Sequence, residues 1–154
     1  MRSALAPVLL VMLARALTGQ GLAVTELDVG PVAAWARYDF YGLAAGFALR
    51  SRGQGRIALS GAGGAVDGQA ALRLEATAQF LVTPGARSGV SPYGGIGVAY
   101  MGSRGRRGLG ALVTLIGVEA AAGRRSGWFG ELGFGGGLRA RLGMRWRHFP
   151  PRWS

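Results

Sequence analysis

Hydrophobic and polar positions alternate with a period of two over most of this chain, most clearly over residues 70–84, AALRLEATAQFLVTP. Leu72, Leu74, Ala76, Ala78, Phe80 and Val82 fall on one side of an extended backbone, and Arg73, Glu75, Thr77 and Gln79 on the other. A helix would scramble these two sets, so the segment reads as a two-faced β-strand. Similar runs separated by Gly, Pro and Ser clusters predict about eight hairpin-connected antiparallel strands, that is, an all-β chain.

The first strand is expected over 25–36, interrupted by Gly30-Pro31; proline has no N–H, so an edge, a bulge or a break is needed there. The second, 40–50, puts Tyr41, Leu43, Ala45, Phe47 and Leu49 opposite Gly42, Ala44, Gly46 and Ala48. The polar stretch 51–55 reads as a tight turn into the third, 56–65, and Asp67-Gly68 is a hairpin signal into the fourth. The fifth, 92–101, sets Ile96, Val98 and Tyr100 against Tyr93, Gly95, Gly97 and Ala99, and 102–108 reads as a basic loop. The sixth, 109–121, sets Leu112, Thr114, Ile116 and Val118 against Val113, Leu115, Gly117 and Glu119. The seventh, 128–136, sets Trp128, Leu132 and Phe134 against Glu131, Gly133 and Gly135. The eighth, 139–149, sets Leu142, Met144 and Trp146 against Arg139, Arg141, Gly143, Arg145 and Arg147.

Alternation alone does not separate a soluble barrel with an apolar interior from a membrane barrel with an apolar exterior. The distribution of glycine and charge does. Many of the 29 glycines lie on the polar faces, where they would weaken a solvated strand and cover nothing. Inside an eight-stranded barrel, barely wide enough for side chains, they make room for long arginines. Arg73, Glu75, Glu119, Glu131, Arg139, Arg141, Arg145 and Arg147 all share the parity opposite to the hydrocarbons. Such segregation is what a bilayer demands, since a lipid-facing charge costs roughly 2–4 kcal/mol at mid-membrane. Trp35, Tyr41, Tyr100, Trp128 and Trp146 fall near strand ends, where interfacial girdles are built.

The 154 residues suit one domain. Residues 1–23 read as a signal peptide: Arg2 is a positive start, 4–13 an apolar core, and Gly21-Leu22-Ala23 a small-x-small site before Val24. That core is too short for a spanning helix; Arg15 interrupts the segment, leaving a retained anchor or an amphipathic helix as the alternative. Residues 24–149 are then an eight-stranded barrel and 150–154 a short tail. No Cys is present, which excludes disulfides, thiolate metal sites and Cys nucleophiles. All 18 basic residues are Arg, with no Lys or Asn, a bias of GC-rich coding that weakens the net charge of +11 as evidence for a polyanionic partner.

The segment Pro92-Tyr93-Gly94-Gly95-Ile96-Gly97-Val98 is similar to the Pro-Tyr-x-Gly-x-Gly opening of a middle strand in the small eight-stranded outer-membrane β-barrels, the OmpA- and OmpX-like proteins. The closing run 141–148, RLGMRWRH, resembles that family's C-terminal assembly signal, here carried by Gly143, Trp146, His148 and Phe149. It departs in having His148 at the last aromatic place and further residues after Phe149. The resemblance covers nearly all of the chain after the leader and implies a closed antiparallel transmembrane up-and-down barrel. It also implies an outer-membrane location, recognition by the barrel-assembly machinery and contact with outer-membrane lipid. The family's usual peptidoglycan-binding domain has no counterpart in these residues.

Four arginines on the last strand need compensation in a narrow lumen, and Glu131, Glu119 and Glu75 are the available partners. An interior Arg–Glu network that plugs the barrel is therefore expected. His148, the one histidine, sits at a strand end without a serine–acid constellation, and no metal-ligand spacing or cofactor motif occurs, so neither catalysis, metal nor cofactor is expected. The basic clusters Arg104-Gly105-Arg106-Arg107 and Arg124-Arg125 lie in turns without interleaved aromatics, which argues against nucleic acid. On an outer surface the former would meet lipopolysaccharide phosphates. The resulting reading is a monomeric outer-membrane barrel with a structural or surface-interaction role. Its alternatives are a soluble periplasmic lipocalin-like barrel binding an apolar ligand, then a narrow anion-selective pore or a lipid-modifying membrane enzyme.

Overall fold

The computed structural model describes residues 22–104 and 106–151. Its strands are β1 (Leu22–Trp35), β2 (Phe40–Ser51), β3 (Gly55–Val66), β4 (Gln69–Leu81), β5 (Val90–Ser103), β6 (Arg106–Ala120), β7 (Ser126–Phe134) and β8 (Leu138–His148). Each pairs antiparallel with its neighbour in sequence, and β8 returns to pair with β1, which closes the barrel. Closure gives every strand a hydrogen-bonded neighbour on both sides, the condition for placing strands in hydrocarbon.

Most of the leader expected over 1–23 lies outside the described residues. Its last two positions, Leu22 and Ala23, already belong to β1. Pairing with β2 shifts register between Leu22 and Val24, so the regular ladder starts at Val24, where the leader was expected to end.

Local chemistry accounts for the hairpins. Asp67 (φ 49°) and Gly68 (φ 76°) are both left-handed, the two-residue turn that matches the twist of the flanking strands. Pro31 neither ends nor bulges β1, but it leaves a local break in one ladder. The strand stays paired to β2 through Pro31↔Leu43, while toward β8 the pairs at Gly30 and Pro31 are missing and the pairing resumes in unchanged register from Val29↔Met144 to Val32↔Arg141. The basic loop expected over 102–108 is shorter: Ser103 pairs with Arg106 across a bulge, leaving only 104–105 between strands. The hairpin tightens because pairing resumes beyond the bulge, where Ser103 and Arg106 still face each other.

The walls are turned as the charge segregation required. Leu27, Leu43, Leu59, Leu74, Ile96, Ile116, Leu132 and Leu142, one from each strand, all point outward and are exposed. Phe80 is likewise 55% exposed, whereas Arg73 and Arg145 are 5% and 1% exposed. A lipocalin-like barrel would invert these values. Trp35, Tyr41, Tyr100, Trp128 and Trp146 face outward near strand ends, and the Trp35 indole N–H donates to the Tyr41 hydroxyl at 3.0 Å.

Inside, the end remote from the chain termini is apolar over β1–β4, where Val32, Ala34, Phe40, Ala44, Ala62 and Val66 pack together. The rest of the lumen is ionic. Connections at the remote end are short (36–39, 67–68, 104–105 and 135–137), whereas those at the terminal end run 52–54, 82–89 and 121–125.

Candidate functional site

Strand parity places every second residue in the lumen, and the polar members of that set form a continuous column. Seven buried arginines, Arg50, Arg56, Arg73, Arg139, Arg141, Arg145 and Arg147, share it with five buried carboxylates, Glu26, Asp28, Glu75, Glu119 and Glu131. Ionised side chains survive such burial only when paired and hydrogen bonded, and their distances meet that condition.

At the terminal end Arg50 and Arg56 stand directly opposite each other on β2 and β3. Like charges so placed repel, and Glu26 separates them: its carboxylate lies 3.3 Å from Arg50 Nη1 and 2.7 Å from Arg56 Nε. Arg56 Nη2 donates to both oxygens of Glu119 at 2.8 Å. Glu119 Oε2 also accepts from Arg145 Nη1 at 2.6 Å and from Arg147 Nη2 at 3.0 Å. One carboxylate thus gathers guanidinium groups from β3 and β8.

The middle of the column is organised around Arg145. Its guanidinium lies 4.3 Å from the Phe129 ring centroid and 5.6 Å from that of Tyr93, and Nη2 reaches Asp28 at 3.3 Å. Cation–π contact adds to ion pairing where water is excluded. Arg141 Nη2 donates to Asp28 Oδ1, and Tyr93 Oη donates to Glu131 Oε1 at 2.8 Å. Toward the remote end Arg139 Nη2 stands 2.7 Å from Glu131 and 2.9 Å from Glu75, and Arg73 Nε donates to Glu75 Oε1 at 2.6 Å.

Glycine makes the column fit. A Cβ at Gly46 would lie 2.4 Å from Asp28 Oδ1, and one at Gly117 would lie 2.4 Å from the Tyr93 ring. Small residues opposite large polar ones are the packing solution of a narrow lumen.

Of the residues named from sequence, Arg73, Glu75, Glu119, Glu131, Arg139, Arg141, Arg145 and Arg147 all lie in this column. Glu75 meets Arg139 across the barrel and Glu119 meets Arg145 and Arg147. Glu26, Asp28, Arg50, Arg56 and Tyr93 went unnamed as members. Glu26 and Asp28 share the parity of Val24 and Val32, a signal obscured by Gly30-Pro31, while Arg50 and Arg56 stand at the strand ends that flank the polar turn 51–55, where parity alone does not tell lumen from solvent.

Of the assembly-signal residues, Trp146 and His148 face outward. Gly143 is held by packing, since a Cβ there would lie 2.3 Å from the Val29 carbonyl oxygen and 2.9 Å from the Phe129 ring. Phe149 falls beyond the end of β8, and its ring lies 5.5 Å from the Arg50 guanidinium, at the terminal end of the column. It was expected to continue the strand, which ends one residue earlier at His148.

No protein-family model and no curated protein sequence matches the chain. Solved structures do. The N-terminal β-barrel domain of Pseudomonas aeruginosa OprF superposes with a TM-score of 0.64 at 22% identity, covering 84% of this chain and 100% of that one. The outer-membrane protein OprG from Pseudomonas aeruginosa gives 0.70 at 10% identity, covering 84% and 97%. Neisserial surface protein A, NspA, gives 0.54 at 13% identity, covering 82% and 96%. The fold of this chain is that of the small outer-membrane β-barrels.

Proposed function

We propose that this chain is an integral outer-membrane β-barrel with a structural or surface-interaction role, closed by its ionic column and without catalytic activity. The observation that carries the reading is the inverted wall: exposed hydrocarbon on all eight strands around buried ion pairs. Water would penalise that exterior, whereas acyl chains satisfy it, and the closed ladder gives every strand a paired neighbour on both sides.

In this reading Arg56 and Glu119, reaching toward each other from β3 and β6, obstruct the lumen, so the barrel works through its surfaces rather than as a conduit. Its partners are outer-membrane lipid, lipopolysaccharide phosphates near the exposed Arg37, Arg104 and Arg107 of the remote end, and the barrel-assembly machinery that reads β8. The protein acts as a monomer.

The test is the electrophoretic mobility of detergent-extracted membranes before and after boiling. A closed membrane barrel resists unheated dodecyl sulfate and changes mobility on boiling. Recovery from the soluble periplasm, with mobility unaffected by heat, would reject the reading.

A further inference from the structure

The mouth at the remote end contains a pocket of about 170 Å³, with Ala34, Ala99, Met101 and Ala111 among its walls. Its rim is the turn Gly135-Gly136-Gly137, which has no side chain to cover it. The pocket's charged lining consists of Arg73 and Arg37, with no Asp or Glu. Arg73 is 5% exposed and gives its Nε to Glu75, whose other oxygen lies beside Arg139, while Arg73 Nη2 has no hydrogen-bond partner. Arg37, exposed, leans over the Tyr38 ring at 5.7 Å.

We propose that this pocket is a binding site for a small monoanion, a carboxylate on a short apolar body, whose charged end pairs with Arg73 and whose tail lies against the alanines and Met101. A buried guanidinium sharing one carboxylate with a second arginine is under-neutralised, and an incoming carboxylate supplies the missing acceptor. With seven arginines to five carboxylates in the column, the barrel as a whole favours an added anion over an added cation. A volume worth about six waters suits a short-chain acid, and mostly apolar walls with few placed charges are the usual composition of a small-molecule site. The short connections at this end leave the entrance open.

The experiment is titration of the isotope-labelled full chain in detergent micelles, its folding confirmed by unheated gel mobility, with butyrate and with butanol at equal concentration. Butyrate is expected to shift the Gly135, Gly136 and Gly137 amide resonances saturably, and butanol to leave them in place. Arg73→Met should weaken butyrate at least about tenfold, the loss of one charge-assisted contact. Ala111→Leu fills the pocket without touching the ion pairs and should abolish the shifts in a folded protein, which keeps the proposal testable if Arg73→Met does not assemble. Absence of butyrate shifts, equal response to butanol, or unchanged response in Ala111→Leu overturns the site. The membrane reading stands apart from these outcomes, because binding is read on protein whose barrel is already shown closed.

Discussion

Arg56 and Glu119 meet from strands β3 and β6, which are not neighbours in the wall, with Arg56 Nη2 2.8 Å from each carboxylate oxygen. Two strands, β4 and β5, separate them around the shorter side of the ring, so this contact ties together parts of the barrel that are not joined by direct backbone pairing. Because Arg145 and Arg147 converge on the same carboxylate, Glu119 is the anionic hub of the terminal half of the lumen.

Glu119→Gln keeps the shape of that hub and removes its charge. The folded barrel should lose about 3–5 kcal/mol, the usual result of stripping one partner from a buried ion pair. Urea unfolding in lipid vesicles, followed by tryptophan emission, measures the change. Adding Arg56→Met should return part of the loss, giving a favourable coupling energy in a double-mutant cycle. Strict additivity of the two changes would show that the contact contributes no stability.

Gly46→Ala and Gly63→Ala form a matched pair on adjacent strands. The first puts a methyl group against the Asp28 carboxylate and displaces it from Arg141 and Arg145, while the second meets nothing within 4 Å. A destabilisation of about 1–3 kcal/mol is expected for Gly46→Ala, as for overpacking generally, and none for Gly63→Ala. Comparing the two urea midpoints checks this.

Leu74→Arg probes the outward wall at mid-strand. In lipid vesicles it should cost about 2–4 kcal/mol of folding free energy, and an arginine nearer the bilayer surface less. If the exterior were solvated, the substitution would leave stability unchanged or increase solubility.

His148→Phe restores the aromatic that the closing strand of the resembled barrels carries. It is expected to raise the fraction of heat-modifiable barrel formed in cells while leaving the stability of the purified protein nearly unchanged. An unaltered yield would mean that the assembly machinery accepts His148 as readily as an aromatic.

The barrel was legible in the sequence because a wall with hydrocarbon on one side and charge on the other forces a strict period of two. Leu72 to Val82 against Arg73 to Gln79 is enough to orient β4, and the same rule puts Arg139 to Arg147 inside. Parity reveals the side of the wall but not the height or the opposing partner, which depend on how strands stagger around the ring. Glu26 was therefore not recognised as the spacer between Arg50 and Arg56, nor Tyr93 as a donor to Glu131. Where turns shorten, as at 104–105, flexible-looking Gly and Arg are drawn into strands because a cross-strand partner is still within reach. Phe149 lies one residue past the end of β8, and its ring position beside the Arg50 guanidinium likewise depends on a partner from a non-adjacent strand.

The contrast between cropped connections at one end and the longer segment 82–89 at the other gives the molecule a built-in marker of sidedness. Arg87 lies in that segment, exposed, while the remote end presents only brief turns to a protease. Trypsin sealed outside or inside a vesicle would reach Arg87 from one face alone, so the pattern of cutting would report which way the polypeptide threads the bilayer.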